Sequence, residues 1–295
     1  MNENRPGVMF HLKITMKTMK THITAIIALA LLVSSGTALH GQRLKGASTP
    51  LGPDEQPIYT WYGVYVGPSF NSQGGSFVTD CDCAFTGGAG SGMVAGAVIE
   101  HQLRSGLTIG GLIGYEGRGI TGRFREQEGV DQTSPTGRVY SVPLTFQNEA
   151  TLSFHMLSVN PYVKYHLSGR LFGRAGISAG YVVASDLVHT KTLETKTTVF
   201  PDGEVADVLF GENGSGTVTL ENGPYKNLSS LQLGFTLAAG YEIVLGRSKR
   251  PWGMDVSAVL VPVAQVFQPI TQLSVDGSQL RVSTLQFLLE FRYNL

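Results

Sequence analysis

Cys81 and Cys83 are the only thiols of the chain, one residue apart in Thr79-Asp80-Cys81-Asp82-Cys83-Ala84-Phe85. An oxidising exterior favours a local disulfide between them, if the backbone turns enough to bring the two Cβ atoms to about 3.8 Å. Free or externally paired thiols are the alternative. A metal held by Asp80, Cys81, Asp82 and Cys83 is a third reading, but a structural zinc site wants four ligands and no histidine lies nearby in the sequence. No metal and no cofactor are therefore expected. Gly87-Gly88-Ala89-Gly90-Ser91-Gly92 has the glycine content of a phosphate loop without its Lys-Ser/Thr or its following helix; it reads as a flexible loop entering a strand. His155, Ser185, Asp186 and His189 are the residue types of acid-base and nucleophilic chemistry. Their spacing sets no nucleophile beside a base, so no catalytic residue and no enzymatic activity are expected.

A third set of reactive types is the charged residues that alternate with apolar ones inside strand-like segments: Glu116, Lys164, Arg174, Glu242, Asp255, Glu290 and Arg292. Successive side chains of a strand point to opposite faces. From Val282 to the terminus, Leu285, Phe287, Leu289, Phe291, Tyr293 and Leu295 therefore share one face, with Thr284, Gln286, Leu288, Glu290, Arg292 and Asn294 on the other. The same dyad runs near Phe154 to Leu167, near Leu231 to Leu245 and, less cleanly, in strands near Tyr59 to Phe70, Met93 to Leu103, Leu107 to Gly117, Leu171 to Ser185 and Trp252 to Gln265. Pro161 and Pro262 fall inside strands and read as bulge or rim positions.

Short breaks at 104–106, 168–170 and 246–251 alternate with long ones near 71–92, 118–153, 186–230 and 267–279. That rhythm predicts an all-β fold, an eight-stranded antiparallel up-and-down transmembrane β-barrel with short periplasmic turns and long extracellular loops. Tyr65, Tyr115, Tyr165, Tyr181, Tyr241, Trp252 and Tyr293 are expected in aromatic girdles. Eight strands leave an interior that side chains fill, so the seven inward charges are expected to pair across the lumen. Stretches of 188–200, 205–210 and 217–220 predict that the third long loop rises as a ribbon.

The front of the chain sets the compartment. Lys17, Lys20 and His22, the apolar run Thr24 to Val33 and the small residues Ser34 to Ala38 compose a secretory signal peptide, too short to span a bilayer as a helix. The expected organisation is a signal peptide over 1–41, with cleavage after Ala38 or Gly41 and a start that Met16 or Met19 also fits, then a short periplasmic segment over 42–58 and the barrel over 59–295. No cysteine lies at the end of the apolar run, so no lipid anchor is expected. Lys plus Arg equals Asp plus Glu at 22 each, charged residues are only 15% and glycines number 37. Nothing in that balance attracts nucleic acid.

Trp61, Tyr62, Gly63 and Tyr65 at the start of the barrel region, the eight alternating segments and the closing Phe291-Arg292-Tyr293 together resemble the small OmpA-like and OmpX-like outer-membrane barrels, particularly the PorT-type barrels of Bacteroidetes, over Tyr59 to Leu295. The resemblance implies a bacterial outer-membrane location among lipid and lipopolysaccharide. It also implies insertion by the outer-membrane assembly machinery, reading Phe291, Tyr293 and Leu295 as the C-terminal insertion signal. Unlike full-length OmpA-type proteins, the chain ends at the barrel, so cell-wall anchoring is not expected. The function expected is a non-enzymatic structural or interaction role in envelope integrity, adhesion or complex assembly, as a monomer, with loop 186–230 read first as a variable solvated loop and alternatively as a docking edge for an external protein. A narrow channel for small or hydrophobic solutes is the alternative.

Overall fold

The computed structural model describes residues 59–295 except 82, 105, 202, 212–213, 226–227, 250–254, 275–278 and 295. The expected signal peptide and the 42–58 segment lie outside the described residues, as do Trp252 and Leu295.

Eight staves form a closed antiparallel ring. β1 (Thr60–Gly74) pairs with β4 (Gly88–Arg104), then β5 (Leu107–Thr133), β6 (Val139–Ser168), β7 (Leu171–Leu193), β11 (Leu231–Tyr241), β13 (Asp255–Pro269) and β14 (Arg281–Asn294), which returns to β1. β12 (Ile243–Lys249) continues the line of β11 past Glu242 and pairs with β13; β10 (Thr217–Gly223) continues it at the other end, along β7. β2 (Phe77–Val78) with β3 (Ala84–Phe85), and β8 (Thr197–Val199) with β9 (Val205–Asp207), are two short hairpins. Closure leaves no unpaired edge in the ring, the condition for strands to cross hydrocarbon.

The second long break is not a loop. β5 and β6 pair continuously from Leu107↔Tyr165 to Thr133↔Val139. β6 has 30 residues, roughly 100 Å at about 3.3 Å per residue, whereas a tilted strand crosses a bilayer in about 9–11. About two thirds of β6 therefore stands clear of the membrane. Nor is Gly88 to Gly92 a loop, since β4 begins at Gly88 and pairs there with β5.

The polarity of β6 inverts along its length, and this fixes where the membrane is. Between Leu157 and Leu167 the odd side chains are apolar and open to the surroundings (Leu157 55%, Val159 48%, Val163 48%, Leu167 63%), while Ser158, Asn160 and Lys164 are buried. From Ser141 to His155 the same odd face becomes Ser141, Pro143, Thr145, Gln147, Glu149, Thr151 and Ser153. The even face becomes Val142, Leu144, Phe146, Leu152, Phe154 and Met156, all buried. A strand in a single solvent has no reason to exchange faces; one that leaves oil for water must. The other staves agree, with Val64, Ile113, Ile177, Leu237, Leu289 and Phe291 all exposed in the lower zone.

Two assignments change. Tyr65 is not a girdle residue but a lumen one, 5% exposed. Pro161 and Pro262 are neither bulges nor rim positions. Each lies on the outward face where one ladder is interrupted: the β6–β7 ladder skips Asn160 and Pro161, and the partner of the Pro262 region breaks at Glu242 between β11 and β12. A residue without an N–H is accommodated where a rung is missing.

Inward glycine makes room for the aromatic filling. A Cβ on Gly114 would sit 2.3 Å from Tyr65 Oη, 2.4 Å from Ala95 O and 2.9 Å from Gly96 Cα. Backbone atoms in that set cannot move aside, so Gly114→Ala is expected to lower the unfolding free energy by about 1–3 kcal/mol through overpacking, read as a lower urea midpoint for the detergent-folded chain. An unchanged midpoint would contradict this packing.

Candidate functional site

The lumen is organised in three storeys. In the lowest, Lys164 Nζ donates to Glu100 and, at 2.9 Å, to Glu242. Arg174 forks onto Glu290 with bonds of 2.7 and 2.8 Å, the bidentate geometry that makes such pairs strong. Arg292 spans both carboxylates, 2.5 Å from Glu100 Oε2 through Nη1 and 2.8 Å from Glu290 Oε2 through Nε. The Tyr162 hydroxyl donates to Glu100 Oε1 at 2.6 Å, and Arg174 lies over the Tyr162 ring at 4.6 Å. Three carboxylates meet three cations, so the storey is neutral. Glu100 and Glu290 are fully buried. A recess of about 130 Å³ reaches Glu100, Lys164 and Arg292 from the Trp61 and His166 end.

In the middle storey Arg118 Nη2 lies 2.6 Å from Glu116 Oε2 and Nη1 donates to Gln232 Oε1 at 3.0 Å. Gln286 Nε2 donates to Glu116 at 3.2 Å and Gln265 Nε2 to Gln286 at 3.0 Å, so this layer also ties β5, β11, β13 and β14 together. The third storey is apolar: Phe77, Phe85, Ile120, Leu152, Phe154, Leu187, Tyr225, Leu273, Leu280 and Val282, drawn from staves and connections, form one buried cluster.

Of the seven charges singled out in the sequence, Lys164, Arg174, Glu242, Glu290 and Arg292 meet in one cluster. Glu116 stands apart from it with Arg118, and the Asp255 side chain lies outside the described residues, its backbone paired with Lys249. Glu100 and Arg118 were missed, though Glu100 is the hub. Strand β4 carries small or apolar residues on both faces up to Ile99, so it shows no parity to reveal Glu100 as inward. Arg118 stands at the start of the 118–153 break, where the sequence shows no fixed apolar face to mark a strand.

Above the ring Cys81 and Cys83 are disulfide-bonded, with Cα atoms 5.3 Å apart. The β2–β3 hairpin that bears them packs on the ribbon: Phe77 stacks on Phe85 at 5.1 Å, and Phe85 meets Phe124 and His189 at 5.0 and 5.2 Å. The Asp80 amide donates to Glu221 of β10 at 3.1 Å. The absence of a nearby histidine holds only along the sequence. Folding brings His189, 108 residues beyond Cys81, to 3.7 Å from its Sγ. His189 lies beyond the membrane zone, and burial first, then the charge of Lys191, hold its pKa below the usual histidine value.

The remaining reactive types do not converge. The Ser185 hydroxyl donates to the Tyr225 carbonyl at 3.1 Å, and His155 Nδ1 pairs with the Tyr115 hydroxyl beneath stacked rings. Asp186 is exposed, opposite Ser153. Phe291 and Tyr293 face outward on β14, 44% and 39% exposed.

No family model matches the chain, and neither does any curated protein. Among solved structures, Ail, the attachment invasion locus protein of Yersinia pestis, is similar at 10% identity and a TM-score of 0.29 when in complex with the heparin analogue sucrose octasulfate, over 79% of this chain and 99% of that one. Neisserial surface protein A is similar at 7% identity and a TM-score of 0.26, over 81% and 100%. The outer membrane protease OmpT of Escherichia coli reaches 10% identity and a TM-score of 0.23, over 84% and 99%. Scores this low carry no argument, and the barrel rests on its own pairing and faces.

Proposed function

We propose that this chain is an integral bacterial outer-membrane barrel with a closed lumen and a non-enzymatic role, holding its ribbons outside the membrane for envelope integrity, adhesion or complex assembly. The observation that carries the reading is the neutral three-against-three charge cluster across the lumen, buried except for the partly exposed Glu242, beneath the Glu116–Arg118 layer and an apolar roof. Charges so paired fill the bore rather than line it, since an aqueous channel would hydrate them. The finer reading is an OmpA-like, OmpX-like or PorT-type barrel, surrounded by lipid and lipopolysaccharide and inserted by the assembly machinery. The 186–230 region, where β7 and β10 form a ribbon with an open outer edge, supports docking of an external protein by strand addition.

Conductance tests the closed lumen. The chain folded into planar bilayers is expected to show no steady ionic current, and removal of Glu100 and Glu290 together, as E100Q/E290Q, is expected to produce transient openings. Stable current through the unmodified chain would instead establish a narrow channel.

A further inference from the structure

The hairpin above the ring and the stave β7 beside it bring together three groups, Cys81, Cys83 and His189, that the barrel does not use. Asn148 Nδ2 donates to Glu126 Oε2 at 3.2 Å, which orients the amide so that its Oδ1 faces His189 Nε2, also at 3.2 Å. An amide oxygen only accepts, so Nε2 carries the ring proton. The lone pair of the neutral ring is then on Nδ1, aimed at Cys81 Sγ 3.7 Å away. A disulfide sulfur has no proton to give that lone pair, and the imidazole is wholly buried. The arrangement is that of a histidine ligand held by its other nitrogen.

We propose that Cys81, Cys83 and His189 form a redox-gated site for a thiophilic d10 cation of the zinc(II) class, closed while the two sulfurs are bonded and open when they are reduced. The donor atoms of the three residues already lie within 4.8 Å of one another. Zinc bonds of about 2.3 Å to sulfur and about 2.0–2.1 Å to nitrogen at a tetrahedral angle set S and N roughly 3.6 Å apart, close to the distance between Cys81 Sγ and His189 Nδ1. The sulfurs need only part to about 3.8 Å for the same geometry. Cys81 is exposed and Cys83 half-buried, which leaves an approach for the ion and a fourth position for water. Opening takes two equivalents of a thiol reductant: the disulfide gains two electrons and two protons to become two thiols, and the reductant becomes its own disulfide. Binding then releases both thiol protons, and the ion holds two thiolates and the imidazole.

The test is a cobalt(II) titration of the detergent-folded chain after reduction with a phosphine under argon. One equivalent of cobalt is expected to give sulfur-to-metal charge transfer and tetrahedral visible bands, displaced by one equivalent of zinc(II). His189→Ala and Asn148→Ala are each expected to weaken binding about 10–100-fold, and the oxidised chain to bind none. Unboiled gel migration shows that each variant keeps its barrel. Absence of cobalt and zinc binding by the reduced chain, or binding by the H189A or C81S variant as tight as by the parent, would overturn the site.

Discussion

Glu100→Gln is expected to lower the unfolding free energy of the detergent-folded barrel by about 3–5 kcal/mol, because it leaves three buried cations facing two carboxylates, one positive charge uncompensated. Lys164, Arg174 and Arg292 all lie within salt-bridge distance of Glu100, and each is about as buried as the carboxylate. After the substitution Lys164 keeps only Glu242, and Arg174 and Arg292 share Glu290. Glu149→Gln is the control. Its partner Arg123 is 2.5 Å away but both side chains are in water, 62% and 36% exposed, so its loss is expected to cost about 0–1 kcal/mol. Urea midpoints for the two variants check the difference. The double variant E100Q/K164M, which removes a charge of each sign, is expected to recover part of the loss, as coupled neighbours do. A Glu100→Gln cost no larger than that of Glu149→Gln would show that the lumen is hydrated rather than filled.

Ile113→Arg separates oil from water with similar force. Ile113 is 58% exposed in the lower zone of β5 and Val139 is 64% exposed at the tip of the ribbon. By exposure alone the two positions are equivalent. Lipid contacts the first, so an arginine there is expected to cost about 2–4 kcal/mol in folded proteoliposomes. Water contacts the second, and Val139→Arg is expected to stay within about 0.5 kcal/mol of the parent. Equal effects at the two positions would place both in one solvent and remove the membrane from the description.

The eight staves of the ring were legible in the sequence because a stave with lipid outside and polar groups inside has an unmistakable two-residue period, clearest at Leu285 to Tyr293 and Leu157 to Leu167. The ribbon over Arg118 to Ser153 was not, for the same physical reason. Beyond His155 the period persists, but the apolar set moves from the odd to the even residues, so a search for one fixed face loses the strand where the chain leaves the membrane. Tyr65 was misplaced because an aromatic near a strand end suits an interface equally well; only the glycines at 96 and 114 show that it has room inside. Glu100 was invisible because its strand has two apolar faces. The Cys81–His189 approach depends on the packing of a hairpin onto a ribbon 108 residues away, and no local pattern encodes it.

The most direct measurement of the central claim is quenching by brominated lipid. Single tryptophans would be placed at Ile113, Leu237 and Phe291 on the outer face and at Val139 on the ribbon, with Trp61 and Trp252 replaced by phenylalanine and the chain folded into liposomes. A closed barrel spanning the bilayer gives strong quenching at the first three positions and none at the fourth. Unquenched tryptophan at all four, from a chain that folds equally well in buffer without lipid, would contradict it.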